Sequence, residues 1–127
     1  MAGISIGHPQ GGTIGGALGP IIGKKLRLLI PVGLEKEVPF DIAEASALLA
    51  EPDESTGAIL ALWPVSGIIF TEIEALSTLC DVQAIPVGAG GIAGAEGALR
   101  MLLLGEPDAV EAALSIVESI QGEPPLS

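Results

Sequence analysis

From Lys24 onward, apolar and polar residues alternate between a strand rhythm and a helical one. Leu26, Leu28, Leu29, Ile30 and Val32 form a short apolar run stopped by Gly33, which predicts a buried strand. Pro31 ends that strand early or puts it at an edge. Asp41-Ile-Ala-Glu44 is an acidic capping box, so a short helix is predicted to about Ala50. Glu51 to Gly57 is polar and carries proline and glycine, which predicts a loop. Ala58 to Leu62 with Trp63 then reads as a second strand closed by Pro64.

The cycle repeats at Thr71-Glu-Ile-Glu74, a second capping box followed by Ile73, Leu76, Leu79 and Cys80 at helical spacing. Val82 to Val87 predicts a third strand, and Ala98 to Leu104 a fourth across a glycine-rich connection. Asp108 opens a last helix, whose stripe of Val110, Ala113, Leu114, Val117 and Ile120 stops at Gly122. The order β-α-β-α-β-β-α predicts an α+β fold, a ferredoxin-like sandwich in permuted order, with helices packed on a mostly antiparallel sheet. Residues 1–23 mix glycine with isolated Ile and Leu and read as an extended arm outside the core. Residues 24–127 read as a single domain.

Length and charge narrow the function. At 127 residues there is room for one core, and sixteen acidic against five basic residues give a net charge of −11. Such a chain opposes binding to phosphate backbones, and Phe40, Trp63 and Phe70 are its only aromatics, so no nucleic acid partner is expected. The first 22 residues lack a basic leader and a continuous apolar run, and no stretch has the ~18–20 apolar residues that span a bilayer. No membrane partner is expected, and the cytoplasm is the expected compartment. Cys80 stands alone, which excludes an internal disulfide and a multi-cysteine zinc site.

Candidate chemistry is sparse. Gly88-Ala-Gly90-Gly-Ile-Ala93 follows a strand as a dinucleotide fingerprint would, but Gly94 and Gly97 interrupt the helix that such a site needs. Gly19 to Lys25 resembles a phosphate loop, one residue short and without a hydroxyl residue after its lysines. His8, between Gly7 and Pro9, reads as a solvated loop residue, and Cys80 as a small core hydrophobe. Glu72 and Glu74 point to different faces of one helix, and Asp53-Glu54 lacks the spacing of a calcium loop. No catalytic residue, metal ligand or cofactor is assigned, and no enzymatic activity is expected. Glu96 is the only charged residue between Val82 and Leu99. It lies in GAGGIAGAEG, where glycines free backbone amides to face a ligand or an opening. Gly88, Gly90, Gly91, Gly94, Glu96 and Gly97 form the candidate loop; its alternative reading is that Glu96 caps a turn. Arg100 follows in the fourth strand, on the face of Leu102 and Leu104.

Residues about 57 to 121 resemble bacterial microcompartment shell proteins, especially the circularly permuted type. GAILALWPVSGIIFTEIEALSTLCDVQAIPVG is similar to that family's strand, proline-bearing turn, first helix and second strand. GALRMLLLGEPDAVEAALSIVESI is similar to its third strand and alanine-rich helix. KKLRLLIPVG sits where permuted members carry a displaced strand. Thr78 stands near the family's tiling lysine, and the glycine-rich connection is longer than the family's pore turn. The resemblance implies a non-catalytic structural protein that assembles with itself into a symmetric ring, a hexamer or trimer, and with other shell proteins in a microcompartment shell. The 88–97 loop would lie near the ring axis as the lining of a metabolite pore, with Glu96 setting its charge. The alternative is a ferredoxin-like oligomeric regulatory module that binds a small effector at the same loop.

Overall fold

The computed structural model describes residues 1–50 and 61–122. They form six strands, β1 (Ala2–Ile6), β2 (Leu29–Pro31), β3 (Ala61–Val65), β4 (Ile68–Phe70), β5 (Gln83–Ala89) and β6 (Leu99–Leu104), and four α-helices, α1 (Gly12–Gly23), α2 (Ile42–Ala50), α3 (Glu72–Cys80) and α4 (Pro107–Ser119). The class is α+β, with strands in three two-stranded sheets: β1 with β3, β2 with β4, and β5 with β6. The β1–β3 and β5–β6 pairs are antiparallel. The chain divides into two compact units, Met1–Pro31 with Val38–Ile69, and Val32–Glu37 with Phe70–Ser127.

In the first unit β1 lies against β3 with Ile4 opposite Trp63, and α2 packs on this pair. Gly3 is closely packed there: a Cβ would come within 2.9 Å of Leu62 Cδ1 and 3.0 Å of Ile42 Cγ2, so these side chains would have to shift to admit one. The Ser46 hydroxyl donates to the Leu62 carbonyl at 2.6 Å, tying α2 to β3. The expectation of an extended arm over residues 1–23 is therefore corrected: this stretch supplies a paired strand and a helix. Helix α1 contains four internal glycines or prolines, yet it forms because tertiary burial overrides weak propensity. Leu18 is its buried anchor, and Gly11, with φ of 77°, makes the left-handed entry turn. The loop expected over Glu51 to Gly57 and the first half of the strand expected from Ala58 lie outside the described residues.

In the second unit α3 and α4 cover one face of the β5–β6 hairpin. Leu76, Cys80, Val82, Ala84 and Ala113 are buried, with Ile73, Met101, Leu103, Val110 and Val117 packed against them. Ala113 is fully buried, so the small side chain is what lets α4 come close. Expected and observed boundaries agree within about two residues for α2, α3, β5, β6 and α4, within ordinary end-fraying. Strand β4 was not expected. It follows a turn at Gly67, where a Cβ would lie 2.9 Å from the Leu28 carbonyl, and Ile68 N donates to that same carbonyl at 2.8 Å.

Candidate functional site

The candidate loop joins β5 to β6. A register shift between Pro86 and Gly88 kinks β5, after which Gly88 sits opposite Arg100 and Ala89 opposite Leu99. Gly90 closes the loop base by donating to the Ala98 carbonyl at 2.8 Å, and Ala98 N donates to the Ala95 carbonyl at 3.0 Å. Gly90 and Gly94 have φ of 81° and 95°, a region that glycine enters without a Cβ penalty. Ala93 shares that region with φ of 56°, so the tip carries backbone strain. Gly91 is crowded instead: a Cβ there would stand 2.7 Å from the Ala95 carbonyl oxygen. Gly97 has open space around it.

Glu96 is exposed, and its Oε1 accepts from Gly94 N at 3.2 Å. Its own amide, and then that of Gly94, hold its carboxyl below the usual carboxylate range, against a small opposing push from burial. The carboxylate thus caps the turn and stays ionised at neutral pH. Among the described residues the recorded ion pair is Lys36–Glu35, so Glu96 and Arg100 are not joined. The sequence pattern did not single out Ile92, which is 87% exposed at the loop tip. An isolated isoleucine among glycines has no periodicity to mark it.

Below the loop, the inner face of β5–β6 turns Ala84, Met101 and Leu103 into the core. The outer face presents Gln83, Ile85, Leu102 and Leu104, with Arg100 exposed beside them. Leu102 and Leu104 are about half exposed, so this is an apolar sheet face open to solvent.

The remaining candidates separate from the loop. Glu72 accepts from Leu34 N at 3.0 Å, and Glu74 caps α3. The His8 side chain accepts from Gln10 N at 3.1 Å in the turn before α1. Cys80 is buried in the core. Gly19 to Gly23 lie within α1, so that stretch offers no phosphate-cradling loop. After Gly88-Ala-Gly90-Gly-Ile-Ala93 the chain enters β6 and not a helix, which leaves the dinucleotide fingerprint without the N-terminus it needs. Asp53-Glu54 lies outside the described residues. Among the described residues no group of three or more His, Cys, Asp or Glu is placed to hold a metal ion, and no helix is long and apolar enough to cross a membrane.

A cleft that the sequence did not announce lies between the end of α1 and β3. It has a volume of about 340 Å³, and Leu18, Ile22, Leu26, Trp63, Lys25 and Ser66 are among the residues that line it.

Comparison with protein-family models, with curated proteins and with solved structures finds no match to this chain.

Proposed function

We propose that the protein is a non-catalytic structural component of the shell type, which assembles with itself into a closed ring carrying the 88–97 loops near the axis. One observation carries the reading: the β5–β6 hairpin pairs an apolar sheet face open to solvent with a loop whose tip, residues 91–97, is exposed while its base is closed by its own backbone bonds. Apolar faces of this kind on an acidic chain mark association surfaces. A loop that holds its shape without a partner suits a repeated opening, and Ile92 and the ionised Glu96 supply its wall and its charge. The resemblance of residues 57 to 121 to microcompartment shell proteins supports the same reading, as does the α+β fold. A microcompartment location and partnership with other shell proteins belong to this proposal.

Light scattering on the purified chain tests it. A single closed species of three or six subunits, formed without added metabolite, is the expected result. A monomer at micromolar concentration overturns the ring. Assembly only on addition of a small metabolite transfers the protein to the regulatory-module reading, with the same loop as its effector site.

A further inference from the structure

The positive charge of this chain is concentrated in one place. Of five basic residues, Lys24, Lys25 and Arg27 fall within four positions, directly after α1, and all three are exposed. Lys25 adopts a left-handed turn with φ of 55°, and its amide donates to the Ile22 carbonyl while Leu26 N donates to Ile21, each at 3.0 Å. This closure holds the cations at the carbonyl end of α1, where the helix dipole favours them. Of the three cations Lys25 lines the apolar cleft, and Lys24 and Arg27 lie beside its lining residues in sequence; the cleft's Trp63 is half exposed and its Ile22 and Leu26 are more so. No ion pair to these three cations is recorded among the described residues.

The opposite pattern occurs on α4. Glu111, Leu114 and Glu118 stand at i, i+3 and i+7, so they share one helical face, and all are exposed. Leu114 is 50% exposed, an apolar knob between two carboxylates. The unit that holds α4 has eleven acidic residues against Lys36 and Arg100.

We propose that copies of this chain associate head to tail, the cation-rimmed cleft of one copy receiving the Glu111–Leu114–Glu118 face of the next. The inference rests on the self-assembly reading above and adds to the open β5–β6 face a second, charge-matched contact. Charge selects among the pairings of these two surfaces: two α4 faces together would oppose four glutamates, two clefts together would bring their cations near one another, and cleft against α4 is the pairing that joins unlike charges. Leu114 then enters an apolar cleft and leaves water, and the flanking carboxylates meet Lys24, Lys25 and Arg27. A contact between two different surfaces repeats from copy to copy and closes when the rotation permits, which is how a ring forms.

Sedimentation velocity on the full chain tests the contact. Wild type is expected to assemble at about 50 mM NaCl and to weaken toward about 500 mM, where screening is strong. Lys24→Glu/Lys25→Glu/Arg27→Glu and Glu111→Lys/Glu118→Lys should each weaken assembly by about tenfold or more. Mixing these two variants should restore a six-membered assembly, in which they alternate and each offers what the other lacks. In a three-membered ring one mismatched contact remains, and mixing restores pairs. Leu114→Gln should weaken assembly without changing its salt dependence. All these positions are exposed, and circular dichroism is the check that each variant is folded. If wild type assembles and the charge reversals leave its size unchanged, the contact is elsewhere and the ring reading survives. If wild type is monomeric, both fall. If wild type stays monomeric and pellets with phosphatidylserine vesicles but not with phosphatidylcholine ones, the cationic cleft is a lipid surface and the proposal is wrong.

Discussion

Thr71 and Glu74 cap α3 reciprocally. Ile73 N donates to Thr71 Oγ1 at 3.2 Å, while the Thr71 amide and hydroxyl donate to Glu74 Oε2 at 2.7 and 2.6 Å. The Thr71 hydroxyl, and after it the Thr71 amide, hold the Glu74 carboxyl below its usual range, with a slight opposing push from burial.

That cap makes a pH-dependent contribution with a defined sign. A carboxyl whose folded pKa is depressed stabilises the fold above the ordinary glutamate value of about 4.3, and the contribution is lost as pH falls through the folded value. Thr71→Ala should cost about 1 kcal/mol at neutral pH by denaturant titration. Glu74→Gln should flatten the acid limb of the stability curve. An acid limb identical to wild type would show that the cap does not form in solution.

Gly91 and Gly97 differ in the space around them, and the loop should report it. Gly91→Ala forces a Cβ against the Ala95 carbonyl, a backbone atom that cannot swing aside, so amide resonances from residue 90 to 98 should shift. Gly97→Ala meets open space and should leave them in place. Equal responses from the two variants would contradict the loop geometry.

Glu96→Gln keeps an acceptor for Gly94 N and removes the charge. The melting temperature should therefore stay unchanged, and on the proposed ring reading the variant should show less preference for cations over anions than wild type in a permeation assay. A large fall in melting temperature would mean that the carboxylate holds the fold.

Deleting residues 1–22 removes the partner of β3 and the buried Leu18. Hydrogen exchange at Leu62 and Val65 should accelerate to the unprotected rate, while amides of α3 and β5 around Val82 stay protected. Full protection of Leu62 in the truncated chain would return this segment to the status of a dispensable arm.

Leu76 is a buried member of the α3–β5–α4 core. Leu76→Ala should lower stability by about 2–5 kcal/mol, the usual cost of a buried leucine. A loss under about 1 kcal/mol would show a core looser than this packing implies.

Sequence alone determined the elements whose causes are local. The capping boxes at Asp41 and Thr71, the apolar stripe of α4 and the alternation in β6 each act within one or two turns of chain, so α2, α3, β5, β6 and α4 and the α+β class were legible. The turn-forming glycines of the 88–97 loop were legible for the same reason, since glycine enters left-handed backbone without a Cβ penalty, as Gly90 and Gly94 do. Only tertiary structure decided β1, α1 and β4. Ala2 to Ile6 becomes a strand because β3, some sixty residues away, supplies its hydrogen bonds, and Gly12 to Gly23 becomes a helix because Leu18 finds a buried place. The division into two units, the exposure of Ile92 and the cleft beside Lys25 likewise depend on which distant segments meet. Long-range pairing and burial are collective quantities, and no window of sequence contains them.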